Sequence, residues 1–158
     1  MFRLIDDADL DDLLALNNAH AVETSLLDRD KLARMVEMAF FARTIDTRQA
    51  LLTTFDQSAD YDSVNFRWFR DRCPRFVYID RIIVAKAARG GGIAGALYAE
   101  LFATARAAGH HTIAAEVNSQ PPNPASEAFH EALGFVEVGR GQLGSSKVVR
   151  YLEKSLRQ

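Results

Sequence analysis

The chain has 158 residues, of which 48% are hydrophobic and 25% charged, and its formal net charge is −2. This length predicts one domain over residues 1–158, large enough to bury a core without metal or disulfide support. Positive and negative charges are interspersed, which argues against a nucleic-acid-binding surface. No apolar run approaches about 20 residues, which argues against a membrane span. The single cysteine favours a reducing, cytoplasmic location.

The first half of the chain predicts a short strand, two helices and a pair of strands. Residues 2–5 are the strand, and residues 6–19 are a helix with acidic residues in its first turn, where they suit the helix dipole. A second helix begins after Asp28, its N-cap. Its apolar residues recur at i, i+3, i+4 and i+7: Leu32, Met35, Val36 and Ala39. Residues 41–45 and 50–55 follow as strands joined by a polar turn.

The irregular segment 56–74 concentrates the aromatic residues Tyr61, Phe66, Trp68 and Phe69. One interpretation is a short amphipathic helix packed on the sheet, which is the commoner use of such a pattern. The other is a lid or pocket wall over an acceptor site, since loops beside a functional strand often carry specificity. We favour the packed helix.

The second half of the chain alternates strands and helices. Its predicted strands cover residues 76–84, 112–117, 135–138 and 147–152. The most regular helix covers residues 93–108, and a further helix begins with Asn123 as N-cap and Pro124 at its first position and ends at Gly134. The full order is βααββ, βαβ, αββ, which predicts an α/β (α+β) fold with a mixed β-sheet flanked by helices.

Three consecutive glycines, from Gly90 to Gly92, stand between the first of these strands and the regular helix. A strand that enters a helix through such a turn points several backbone N–H groups at one position, where the helix dipole favours a phosphate or pyrophosphate. We prefer this reading to a turn whose glycines only relieve crowding. Gly90, Gly92 and Gly95 also satisfy the GxGxxG pattern of dinucleotide-binding folds, with Glu116 as a candidate ribose ligand. Against that alternative, five residues separate Val84 from Gly90 and further βαβ units are missing.

Two motifs resemble the GNAT superfamily of N-acetyltransferases. The first is Arg89-x-x-Gly92-x-Ala94, similar to the family's Gln/Arg-x-x-Gly-x-Gly/Ala coenzyme A loop. The second is NPASEAFHEALGF, residues 123–135, similar to the family's Asn-x-x-Ala-x-x-Leu-Tyr-x-x-x-Gly-Phe. Both occur in the family's order over residues 76–135, and the N-terminal βααββ fits its layout less specifically. The resemblance implies a GNAT-like sheet and an acetyl-CoA-dependent acetyltransferase.

The resemblance also implies which residues contact acetyl-CoA. In the family, amides of the loop hold the pyrophosphate, and the strand before the loop offers a backbone N–H to the thioester carbonyl, here around Ile83 and Val84. The implied cofactor-binding residues are Ile82, Ile83, Val84, Arg89, Gly90, Gly91, Gly92, Ile93, Ala94, Gly95, Asn123, Ser126 and Phe129.

The sequence departs from the family pattern at His130, where the family commonly has a tyrosine that acts as general acid toward the departing thiolate. Asn123, Ser126 and His130 lie at i, i+3 and i+7, so they share one helix face. His130 is therefore a candidate proton donor in its cationic form, with simple packing as the alternative.

Two carboxylates are candidate bases. Strand alternation places Glu116 on one face with Asn118, and Asp80 on the same face as Val84. We favour Glu116, acting directly or through a water, because an ion pair with Arg81 would also account for Asp80.

The predicted function is an N-acetyltransferase that passes the acetyl group of acetyl-CoA to a primary amine of a small molecule or an amino terminus by direct attack. A nonenzymatic acetyl-CoA sensor and, less favoured, a nicotinamide-dependent oxidoreductase are the alternatives. No metal is expected, because His20, His110 and His111 lack partners at ligand spacing and are interpreted as surface or core-edge residues. The expected partners are amines, with neither nucleic acid nor membrane, and a homodimer is left open.

Overall fold

In the computed structural model, which describes residues 2–21 and 24–157, seven strands form one mixed sheet. Its order is β1-β2-β3-β4-β5-β7-β6. The strands are β1 Phe2–Arg3, β2 Phe41–Ile45, β3 Ala50–Asp56, β4 Val77–Val84, β5 Thr112–Gln120, β6 Val136–Leu143 and β7 Lys147–Ser155. Among the strand pairs of the described residues, only β4 and β5 run parallel. A dinucleotide-binding fold needs a mostly parallel sheet, so this topology rules against the oxidoreductase alternative.

Five α-helices in the described part of the chain cover the two faces of the sheet. They are α1 Leu10–Ala19, α2 Arg29–Met38, α3 Val64–Arg72, α4 Ile93–Ala107 and α5 Pro124–Ala132. Helices α1, α2 and α3 bury residues such as Leu13, Leu32 and Phe66 in a core on one face. On the other face, Leu97 of α4 and Phe129 of α5 belong to a second core. The predicted mixed sheet flanked by helices is confirmed.

Side-chain caps mark the starts of three helices. The Asp28 carboxylate accepts a hydrogen bond from the backbone N–H of Lys31 at 2.8 Å, and the Asn123 amide oxygen caps α5. Both caps were predicted. Ser63 caps α3. The sequence predicted this helix only as one of two interpretations of the aromatic segment. Phe66 is fully buried in the core, which confirms the packed helix, and the first residues of the same segment also line a cavity, as the pocket-wall alternative expected.

Several predicted boundaries are wrong: β1 ends at Arg3 rather than at residue 5, and β5 and β7 each continue three residues further than expected. Two further differences have a tertiary reason. Residues Asp7–Asp9 form a 3₁₀ turn ahead of α1, because the buried Asp9 carboxylate turns inward to the guanidinium groups of Arg3 and Arg48. Strand β6 continues well past residue 138 despite two glycines. A Cβ at Gly139 would collide with the Trp68 ring and one at Gly141 with the Tyr151 ring, so close ring packing explains both glycines.

The parallel strands β4 and β5 separate soon after they meet. Their pairing consists of Val77 with Ile113 and Tyr78 with Ala114. Beyond Tyr78, the β5-facing backbone groups of β4 have no strand partner among the described residues. At this point β4 also bulges, since Thr54 pairs with Ile79 while Thr53 pairs with Arg81. The result is an opening in the middle of the sheet.

None of the described helices is long and apolar enough to cross a membrane.

Candidate functional site

Two cavities meet where β4 and β5 separate. The first, about 440 Å³, lies between these strands and is walled by α3 and the loops before α2 and α3; we call it the strand cleft. The second, about 360 Å³, lies among the end of β4, the start of α4 and α5; we call it the loop cavity. The residues that line both are Thr24, Ile82, Asn123, Ser126 and His130. A ligand in the loop cavity can therefore present a reactive group to a second ligand in the cleft.

The glycine loop leaves open space at the start of α4. Gly90 and Gly92 have positive φ angles of 90° and 76°, which explains these two glycines by backbone conformation. A Cβ at Gly91 or Gly95 would meet nothing within 4 Å, so crowding within the chain explains neither. Helix α4 begins at Gly92 with no side-chain cap, and its first N–H groups are free for an anion.

Eight of the predicted cofactor-binding residues line the loop cavity. They are Ile82, Ile83, Val84, Arg89, Ala94, Asn123, Ser126 and Phe129. Gly90, Gly91, Gly92, Ile93 and Gly95 belong to the adjoining loop and first turn of α4. The fold thus brings the two sequence motifs to one cavity, although they are about 30 residues apart in the chain.

Sequence reasoning missed His20, which lines the loop cavity at the C-terminal end of α1. Its Nδ1 lies 2.9 Å from the Leu16 carbonyl oxygen, so Nδ1 carries the proton. Its Nε2 then accepts a hydrogen bond from Arg89 Nη2 at 3.2 Å. Arg89 also donates through Nε to the Val84 carbonyl at 3.1 Å. Only the tertiary fold brings α1 to this loop, so no local signal identifies His20.

Glu116 projects from β5 into the strand cleft. Its Oε1 accepts hydrogen bonds from the Tyr78 hydroxyl at 2.8 Å and the Asn65 amide at 3.1 Å. Its Oε2 is buried and has no hydrogen-bond partner among the described residues. Burial, aided by the negative charge of Asp80 and opposed by those two hydrogen bonds, raises the pKa of Glu116 to about 7. A carboxylate of this pKa can both take up and release a proton near neutral pH.

Asp80 lies at the bulge of β4, and its predicted orientation is wrong. Its carboxylate accepts from the Tyr61 hydroxyl and from Arg81 Nε, both at 2.6 Å, on the face of the sheet covered by α1 to α3. Val84 belongs to the core on the opposite face. The bulge adds one residue to β4 and shifts the alternation on which the prediction relied. Asp80 lines the strand cleft, but its oxygens are engaged in the buried ion pair.

His130 lies at the junction of the two cavities, where its side chain is almost fully buried. Its Nδ1 lies 2.8 Å from the Ser126 carbonyl oxygen and therefore donates to it. Its Nε2 lies 2.9 Å from the Tyr98 hydroxyl, which then donates to the ring. Burial lowers the pKa of His130, opposed by the hydrogen bond to Ser126. This environment favours the neutral ring, in contrast to the cationic donor expected from the sequence.

Several further residues of the strand cleft were not identified from the sequence as site residues. Tyr78 and Asn65 hold the Glu116 carboxylate, and Tyr98 contacts His130. Lys147 lies at the start of β7, where it lines the cleft. Tyrosine, asparagine and lysine on strands and helices give no chemical motif, so only the fold reveals their convergence. The described residues contain no cluster of three or more His, Cys, Asp or Glu that could hold a metal ion.

Comparison with sequence families gives one match. The model of a family described as the acetyltransferase (GNAT) family matches residues 49–135, which is slightly more than half of the chain. The matched region extends from the turn before β3 to the residue before β6, and so includes most of the residues that line the strand cleft and the loop cavity. No protein with a curated description matches significantly.

Solved acetyltransferase structures have a similar fold. YncA from Salmonella typhimurium, an acetyltransferase determined with acetyl-CoA, has a TM-score of 0.72 at 20% identity, covering 100% of this chain and 94% of that one. The ribosomal-protein-alanine N-acetyltransferase of Brucella melitensis has a TM-score of 0.72 at 25% identity, with coverages of 98% and 99%. Ard1 from Thermoplasma volcanium reaches 0.77 at 12% identity, with coverages of 100% and 98%.

Proposed function

The chain belongs to the GNAT acetyltransferase family, and we propose that it is an N-acetyltransferase that passes the acetyl group of acetyl-CoA directly to a primary amine. The observation that carries this proposal is the buried, unpaired Oε2 of Glu116, a residue that lines the strand cleft, together with the open, uncapped glycine loop at the adjoining loop cavity. One cavity suits an anionic donor and the other offers a base to an amine. The meeting of the two cavities supports direct transfer between two bound ligands.

The residues around the loop cavity fit acetyl-CoA. The free N–H groups of α4 and the loop from Gly90 to Gly92 would hold the pyrophosphate, with Arg89 and His20 beside it. The pantetheine arm would lie between the end of β4 and α5, along Ile82 and Ser126. Acetyl-CoA supplies an activated acyl group whose leaving atom is a thiolate.

We assign to Glu116 the role of the base that removes a proton from the amine. An amine must lose a proton to attack, and the Glu116 carboxylate, with a pKa of about 7, can take it directly or through a water. The hydrogen bonds from Tyr78 and Asn65 fix Oε1 of the carboxylate and leave Oε2 without a partner. As the new C–N bond forms, backbone N–H groups of β4 that face the gap beyond Tyr78 are available to the carbonyl oxygen.

We assign to the pair of Tyr98 and His130 the role of the acid that protonates the leaving thiolate. The neutral His130 ring has no free N–H, because its Nδ1 proton is bonded to Ser126. The exchangeable proton between the pair is therefore that of the Tyr98 hydroxyl, which lies 2.9 Å from Nε2. When the C–S bond breaks, this hydroxyl gives its proton to the sulfur, and the second proton released by the acylated nitrogen returns to the tyrosine oxygen. Burial raises the pKa of Tyr98, so this oxygen takes the proton back readily, while His130 orients the hydroxyl. Asp80 has no step in this scheme, because its carboxylate is held by Arg81 and Tyr61.

The test is acetyl transfer from acetyl-CoA to a panel of primary amines, followed by mass spectrometry of the acetylated products and by release of free thiol. We expect stoichiometric product and thiol with at least one amine. Acetyl-CoA binding, measured by calorimetry, without transfer to any amine would refute the enzymatic function and leave the sensor alternative.

A further inference from the structure

Two half-buried side chains of opposite charge line the strand cleft without a full set of partners in the described parts of the chain. One is Glu116, whose Oε2 accepts no hydrogen bond. The other is Lys147, which forms neither a hydrogen bond nor an ion pair with any of the residues described. No salt bridge joins the two, so their charged atoms are more than 4.0 Å apart. The positive charge of Lys147 nevertheless acts on the Glu116 carboxyl and lowers its pKa, which shows that the two groups share one environment.

Strand register explains why both side chains face the cleft. Glu116 of β5 pairs with Tyr151 of β7, and Asn118 pairs with Val149. Side chains two apart on a strand share a face, so Lys147, Val149 and Tyr151 face the same side as Glu116. Lys147 lies four residues before Tyr151, about 13 Å along the strand at 3.3 Å per residue. Glu116 is thus at the inner end of the cleft and Lys147 toward its mouth.

The other charges around the cleft are mostly neutralised by one another. Asp80 and Arg81 form a buried ion pair at 2.6 Å. Asp62 is paired with Arg67 at 3.1 Å. Lys31, also in the lining, is an exposed residue on α2 and adds positive charge on the outer side. The cleft therefore offers a carboxylate inside and two unpaired ammonium groups farther out, the half-buried Lys147 and the exposed Lys31.

Building on the acetyltransferase function, we propose that the acceptor is a small free amino acid, with its amine at Glu116 and its carboxylate at Lys147. A ligand that carries both charges would satisfy both unpaired groups in one binding mode. A polypeptide amino terminus has a neutral peptide group where the free amino acid has its carboxylate, and would leave Lys147 unmatched. The cleft volume of about 440 Å³ is in the lower part of the range of small-molecule pockets, about 300–1,000 Å³.

The experiment compares matched acceptors that differ only at the carboxyl end. For each of a series of amino acids, kcat/KM is measured for the free acid, its primary amide and a dipeptide with the same first residue. We expect the best free acid to exceed its amide and dipeptide by about tenfold or more, the size of effect of one good charge pair. The difference should lie mainly in KM, because the carboxylate contributes binding rather than chemistry.

Variants of Lys147 assign the discrimination to this residue. Lys147→Met should reduce kcat/KM for the free acid about tenfold and change that for the amide by less than about threefold, whereas Lys147→Arg should retain the preference. Arg34→Gln removes an exposed positive charge on α2 that lines neither cavity, and serves as the control. Melting temperatures of all variants show whether each one folds.

Two results would overturn the proposal. Amides or dipeptides that are acetylated as well as the free acids would show that the carboxylate is not recognised. A Lys147→Met variant that loses activity equally on acid and amide would show that Lys147 acts on catalysis or folding. In both cases the native protein still acetylates amines, so the proposed acetyltransferase function stands. If no amine of any kind is acetylated, the proposed function fails, and the amino-acid acceptor fails with it.

Discussion

Replacing Glu116 by glutamine tests the proposed base most directly. Glutamine keeps the shape of the side chain and an oxygen for the Tyr78 and Asn65 donors, but cannot take up a proton. With a pKa of about 7, Glu116 is about one-tenth ionised at pH 6 and about nine-tenths ionised at pH 8. The kcat/KM of the native protein should therefore rise about tenfold per pH unit below pH 7 and level off above it. Glu116→Gln should be slower by roughly 10²- to 10⁴-fold above pH 7.

The ratio of native to variant rates isolates this carboxyl from the titration of the amine. The native protein can use the ammonium form, whereas Glu116→Gln needs the free amine, whose share rises about tenfold per pH unit below its pKa. The ratio should therefore stay constant below pH 7, where both rates rise together, and fall above it, where only the variant rate still rises. Glu100→Gln, an exposed residue on α4, is the matched control and should follow the native profile. A Glu116→Gln variant that keeps the native rate, or a ratio independent of pH, would refute the assignment.

The same variant has an effect on stability with a definite sign. The pKa of Glu116 rises from 4.5 in its ordinary environment to about 7 in the folded protein. Ionisation is thus disfavoured by folding, so the native protein loses stability as pH rises from about 4.5 to 7. A shift of this size corresponds to at most about 3 kcal/mol, since the cleft is partly open to solvent. Urea unfolding at pH 5 and pH 8.5 should show that loss in the native protein but not in Glu116→Gln.

Three further predictions follow from the loop, the proton donor and the ion pair. Gly91→Val should weaken acetyl-CoA binding, measured by calorimetry, at least tenfold without lowering the melting temperature, because Gly91 has an ordinary φ and open space around it. Gly92→Val would in addition strain a positive φ. Unchanged affinity in Gly91→Val would mean that no ligand approaches this position. Tyr98→Phe should lower single-turnover rates roughly 10²-fold at unchanged acetyl-CoA affinity, and adding His130→Phe should cause little further loss; additive losses would contradict a single donor pair. Asp80→Asn should lower the free energy of unfolding in urea by about 3–5 kcal/mol, because it leaves the buried Arg81 charge uncompensated. A variant that is stable but inactive would instead assign Asp80 a role in the chemistry.

Local signals in the sequence predicted the parts of the fold that depend on neighbouring residues. The N-cap of α5 at Asn123 and the glycine turn before α4 both depend on nearby backbone geometry, and both are found where expected. The orientation of Asp80 was not predictable in this way, because a bulge arises from pairing with β3 and leaves no mark on the β4 sequence. The environment of His130 depends on Tyr98, 32 residues away on another helix. Helical spacing gives the face of a residue, but not its partner across a packed interface.

The hydrogen bonds that run from the Tyr151 hydroxyl through Asn65 to Glu116 join β7, α3 and β5. Asn65 is the contribution of α3, and its amide lowers the pKa of Glu116 against the effect of burial. Docking of α3 and ionisation of Glu116 are therefore linked equilibria, each of which favours the other. A shift of α3 away from the sheet would withdraw one donor from the carboxylate, which raises its pKa, and would also reduce its burial, which lowers it. The proton affinity of the base thus depends on the position of one helix.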